Sequence, residues 1–165
     1  MASTYEPIAT TTVAVAAATI TFSGIASSWT DLRVVLVATS SSALAGPRIQ
    51  FNSDTATNYS YTNLKGDGTS ATSNRSTSNN YLQAQGINLT TTPSLLSYDI
   101  FSYTGSTFKT VLTSSSQDYN GSGTVQNQVG LWRSTSAITS ITFSGAGLFV
   151  FDAGTTATLY GIKAA

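Results

Sequence analysis

Apolar residues recur at every second position along nearly the whole 165-residue chain, and no stretch of a dozen residues carries them at helical spacing. In "TDLRVVLVATS", Leu32, Val34 and Leu36 fall on one face of an extended segment, with Arg33, Val35 and Val37 on the other. Similar runs are "PRIQFNS", "NYSYTNLKG", "NNYLQAQGI", "SLLSYDIFSY", "TFKTVLTSSS", "VQNQVGLW", "AITSITFSG" and "TATLYGIK". They are rich in Thr, Val, Ile, Tyr and Phe, which suit a pleated, half-buried surface. Turn chemistry falls between them, at "AGP" (45–47), "KGDG" (65–68), "YTGS" (103–106), "YNGSG" (119–123), "SGAG" (144–147) and "DAGT" (152–155). This punctuation predicts an all-β fold, an antiparallel β-sandwich or barrel of about nine to eleven strands.

No linker or shift in composition divides the chain, so a single domain is expected, with residues 1–28 as an N-terminal arm or first strands and 29–165 as the sandwich. Residues 11–22 read as one strand. The polar, low-complexity stretch 68–80 reads as a long exposed loop. Two strands, "LRVVLV" and "SLLSYDIFSY", are apolar on both faces, which places them mid-sandwich or against a neighbouring subunit. Arg33 and Asp99 lie within them, able to pair with Asp31 or with each other, and a partly buried structural ion pair is expected, with a functional charge site as the alternative.

Charged residues make up only 8% of the chain, against roughly 25% in an ordinary soluble domain. Seven Lys and Arg, scattered singly, balance seven Asp and Glu. Phosphate neutralisation needs clustered cations, so neither nucleic acid nor an anionic membrane surface is an expected partner. Solubility rests on 25 Ser and 28 Thr. A surface so close to neutral favours association.

The absence of histidine removes a Ser-His-Asp triad and imidazole metal sites, and the absence of cysteine removes disulfides and thiol chemistry. Asp67, Asp118 and Asp152 fall in glycine turns, where capping the local backbone is the ordinary role. No loop has the alternating carboxylates of a calcium site, and no glycine-rich loop leads into a helix to hold phosphate. No enzyme activity, cofactor or metal is therefore expected.

Aromatic residues near predicted strand ends, Tyr59, Tyr61, Tyr81, Tyr119 and Trp132, are either core fillers or stacking platforms for sugars. The stretch "VGLWRSTSAITSITFSG" (129–145) poses the same choice. Val129, Leu131, Ile138, Ile141 and Phe143 are expected in the core of two consecutive strands joined by a turn at Ser134–Ser136. Trp132 is expected to pack at the end of the sandwich and Arg133 to bond backbone carbonyls or a nearby Asp. A subunit contact through Trp132 and Arg133 is the alternative.

Several segments together resemble a family of small virion proteins of tailed bacteriophages, cyanophages among them. They are Phe51-Asn52-x-Asp54 with Asn58-Tyr59, then Gly130-Leu131-Trp132-Arg133-x-Thr135, and the terminal Leu159-Tyr160-Gly161-Ile162-Lys163. The likeness spans roughly Trp29 to Lys163. It implies a jelly-roll-like sandwich serving as a capsid decoration (cement) subunit, a homotrimer bound to the major capsid protein and assembled in the bacterial cytoplasm. In that setting the arm Met1–Ile8 and the 68–80 loop are the expected contacts. The same family includes modules of tails and fibres, which implies as alternative a host-recognition module binding cell-surface glycan through the aromatic residues above.

Overall fold

The computed structural model describes residues 4–42 and 46–163, and within them the chain forms twelve strands and no helix. They are β1 (Tyr5–Thr12), β2 (Thr19–Ser23), β3 (Asp31–Ala38), β4 (Arg48–Phe51), β5 (Tyr59–Gly66), β6 (Ala71–Asn79), β7 (Leu82–Gln83), β8 (Ser94–Phe101), β9 (Lys109–Asp118), β10 (Gly123–Trp132), β11 (Ser140–Ser144) and β12 (Thr156–Ile162). An eight-stranded antiparallel sheet, in the order β1-β12-β3-β8-β9-β10-β5-β6, packs on a four-stranded sheet ordered β2-β11-β4-β7. The predicted β-sandwich is therefore the observed fold.

Alternation dictates how the sheets meet. Leu32, Val34, Leu36 and Ala38 of β3 point inward, as do Leu96, Tyr98 and Ile100 of β8, and all are buried. They meet Ile20, Phe22, Ile49, Phe51, Ile141 and Phe143 from the small sheet. The Tyr98 and Phe143 rings lie 5.1 Å apart across this interior. Rings at such separations add a geometric preference to the area they bury.

The small sheet is half the width of the large one, and the composition of the inner face responds. On β9 and β10 the inward residues include Thr113, Ser115, Gln117, Gln126 and Gln128, all buried. Here the connection following β7, with Ala84, Ile87 and Leu89 buried, takes the place of a facing strand. Gln117 Nε2 donates to Asn88 O at 2.6 Å, and Gln126 Nε2 to Gln128 Oε1 at 3.2 Å. A buried amide needs such partners, since leaving it dry and unpaired costs about 1–3 kcal/mol.

Three expectations are corrected by the topology. Residues 11–22 are not one strand, because β1 ends at Thr12 and β2 begins at Thr19 in the opposite sheet. The crossing is fastened by Val13 N to Thr155 O (2.9 Å) and by Ala17 paired with Phe151. The first described residues thus fold back as edge strands of both sheets, and Met1–Ser3 lie outside the described residues. The 68–80 stretch is not a loop, because Ala71–Asn79 pairs with β5 over most of its length. Its hydrophobic signal is missing because β6 is exposed on both faces, so neither face demands apolar residues. Finally, Val129 and Leu131 face away from the core. Gly130 and Trp132 take the inward positions, and β10 and β11 belong to different sheets, although Ile138, Ile141 and Phe143 are buried as expected.

Candidate functional site

Two segments distant in sequence lock together at one end of the sandwich. Asn52 (φ 52°) and Ser53 (φ 56°) both occupy the left-handed region, and Asp54 N donates to Phe51 O at 2.9 Å. Two positive φ values inside such a closed turn define type I′, which Asn tolerates better than most residues. The Asn52 side chain clasps the next crossing, accepting from Thr139 N (2.8 Å) and Ser140 N (3.1 Å) and donating to Ala137 O (2.7 Å).

Asp54 then receives Trp132 Nε1 (2.7 Å) and Asn58 Nδ2 (2.9 Å) on one carboxylate oxygen and Ala56 N (2.9 Å) on the other. Burial alone would push this carboxyl upward, but the bonds from Asn58, Trp132 and Ala56 outweigh it and hold the group below its ordinary range. Arg133 donates from its guanidinium to Thr57 O and from its backbone to Asn58 O, at 2.7 and 2.8 Å.

Tyr59 and Trp132 belong to this lock. Their rings stack at 6.3 Å around Phe51, and they are 0% and 2% exposed. Neither offers a ring face to a sugar. Burial also drives the Tyr59 phenol well above its ordinary range, against the opposing effect of the Phe51 backbone bond. The other candidates sit on separate elements. Tyr81, before β7, lies half-buried with the Arg48 guanidinium 4.0 Å from its ring centre. Tyr119, in the β9–β10 turn, is half-buried and donates to Asn88 O at 3.1 Å. Tyr61 is buried. The aromatic candidates do not converge on one surface.

Of the three turn carboxylates, Asp67 and Asp118 cap their own loops as expected, whereas the Asp152 side chain accepts from Ser41 Oγ of another segment at 2.9 Å. Asp67 receives Thr69 N and Ser70 N at 2.9 and 2.8 Å, and Asp118 receives Asn120 N at 2.7 Å. Both line an open depression of about 640 Å³ beside the β5–β6 and β9–β10 turns.

A different feature stands out on the outer face of the large sheet. Eleven large apolar side chains are exposed among the described residues, and eight of them lie on this one face: Tyr5, Val37, Leu64, Leu95, Phe101, Leu112, Val125 and Val129. The register explains the clustering. Val37, Leu95, Ser116 and Val125 line up across β3, β8, β9 and β10. One row below, Val35, Ser97, Ser114, Asn127 and Leu64 do the same, and below that come Arg33, Asp99, Leu112, Val129 and Thr62.

Charge on this face is sparse and self-cancelling. Arg33 Nε lies 3.3 Å from Asp99 Oδ1, the ion pair the sequence suggested, while Asp31 accepts from Ser102 N at 2.6 Å. Among the described residues this face carries scattered Ser and Thr hydroxyls and single cations set apart, Arg33 and Arg75. What it can do is exclude water against another flat, weakly polar surface, the ordinary meaning of an apolar patch this broad. Signals for it were present in the two-sided apolar pattern of "LRVVLV" and "SLLSYDIFSY". The contribution of β10 was missed because Val129 was expected in the core, and that of Leu112 because its strand carries Val111 and Leu112 on opposite faces with no pattern to rank them. Neither the known family models, nor the curated proteins, nor the solved structures contain a match to this chain.

Proposed function

We propose that this protein is a non-catalytic structural subunit of a larger protein assembly, acting through the outer face of its eight-stranded sheet. The observation that carries the reading is the gathering of eight of eleven exposed large apolar side chains on that face. Burying apolar surface is worth about 25 cal/mol per Å², so leaving this patch in water forgoes several kcal/mol that a partner would recover. The low charge of the chain supports the same reading, since desolvating Ser, Thr and Asn costs less than desolvating Lys or Glu.

The setting we propose is the one implied by the sequence resemblance, a phage capsid bearing this chain as a decoration subunit on the major capsid protein. Repeated weak contacts on a lattice combine into firm attachment by avidity. The glycan-binding alternative has lost two of its platforms, because Tyr59 and Trp132 are internal. Cryo-electron microscopy of the intact particle tests the proposal. Density for this chain on the icosahedral shell supports it. Density only at tail or fibre, or no incorporation at all, sinks it.

A further inference from the structure

We infer that the outer face of the large sheet is covered by a second copy of this chain, packed face to face about a two-fold axis. This rests on the reading above that the face is an association surface, and it names the occupant.

Three observations point to a copy. The first is area. The six strands from β12 to β5 span about 29 Å at ~4.8 Å each, and eight residues along them span about 26 Å. The resulting patch of about 750 Å² matches the roughly 800 Å² per partner of a standard stable interface.

The second is charge. The face carries its own opposite pair, Arg33 and Asp99, with side chains 39% and 25% exposed. A surface whose opposite charges pair within it, here at 3.3 Å, offers no net field to a charged macromolecule and no repulsion to a copy of itself. The third is continuity. Leu112 and Val129 sit side by side on β9 and β10 at 41% and 49% exposure, and Leu95 and Val125 lie two rows away on the same face. Ser114 and Asn127, in the row between these pairs, bond to each other (2.7 Å), so that row has less polar surface left to desolvate.

A face-to-face contact of this kind uses the same patch on both molecules and therefore closes at two copies. Any higher assembly, the proposed contact with the shell included, must then use other surfaces, such as the edge strands β1 and β6. The expected solution state at this contact is a dimer, in place of the trimer implied by the resemblance.

The test is sedimentation velocity on the full chain with Val129→Glu, a change that puts a carboxylate on both sides of the two-fold. The parent should sediment as a dimer, and the variant should dissociate at least 100-fold more readily with an unchanged far-UV spectrum. A monomeric parent, or a trimer indifferent to the substitution, overturns the inference. Should Val129→Glu fail to fold, the parent carrying Ser116→Cys, in a chain with no native cysteine, gives a second readout through a spin label. One sharp inter-label distance supports the two-fold, and absence of dipolar coupling overturns it. The proposed function fails separately. A monomer that still binds shells removes the dimer alone, whereas a dimer that ignores shells keeps the dimer and removes the capsid setting.

Discussion

The lock between Asp54 and Trp132 yields a quantitative test of what joins two remote segments. In Asp54→Ala, the indole N–H of Trp132, on a side chain 2% exposed, loses the carboxylate 2.7 Å away. Asn58 Nδ2 and Ala56 N lose the same partner. A hydrogen bond to a charged group contributes about 1.5–3 kcal/mol, and the Asn58 and Ala56 donors recover water because they are nearer solvent. The expected loss is therefore about 3–4 kcal/mol, mostly from the stranded indole. Trp132→Phe keeps ring packing on Phe51 and Tyr59 but removes the donor, so Asp54→Ala in that background should cost far less. Urea unfolding followed by far-UV circular dichroism on all four members of the cycle gives the coupling, expected at about 2 kcal/mol. A coupling below about 0.5 kcal/mol would refute the argument that this bond fastens the lock. The carboxyl is held below its ordinary value of 3.8, so its contribution is complete above that pH and is lost as pH falls through the lower folded value. Asp54→Asn should flatten that acid limb.

Other substitutions probe the interior. The Tyr98 hydroxyl is buried with no hydrogen-bond partner, so Tyr98→Phe should leave stability unchanged or raise it by about 0.5–1 kcal/mol at pH 7, read from the urea midpoint. Burial raises the Tyr98 phenol above 10.0, so the stability it contributes is complete below pH 10 and lost as pH rises toward the folded value. Tyr98→Phe should lessen that alkaline loss, and an unchanged alkaline limb would count against it. At Gly161 an added Cβ would fall 2.1 Å from the Trp29 ring, so Gly161→Ala should cost about 1–3 kcal/mol. Adding Trp29→Ala should recover part of this in the same denaturation assay. Asn52→Gly keeps the left-handed backbone but removes the clasp on residues 137–140, an expected loss of about 2 kcal/mol; a loss under 0.5 would show the turn alone suffices.

What the sequence determined by itself was most of the strand content and which residues of a strand share a face. Leu32, Val34 and Leu36 share one face as the alternation said, and Asp67 and Asp118 cap turns as their glycine neighbours said, because both are local matters of a two-residue period and of turn geometry. The ion pair of Arg33 and Asp99 was also within reach, since each lies at a polar step in an apolar run.

Tertiary structure decided the rest. In "VQNQVGLW" the apolar set is Val125, Val129 and Leu131, yet Gln126, Gln128, Gly130 and Trp132 are the residues that face inward. Facing in a sheet is set by register against the neighbours, and a slip of one residue reverses it. Here β10 is held between β9 and β5 with Trp132 anchored on Asp54, so the apolar side is left outward. The same holds for Ala71–Asn79, whose strand exists only through its pairing with β5. Local pattern fixes which residues share a face, but only the assembled sheet fixes which face meets the core and which remains open to a partner.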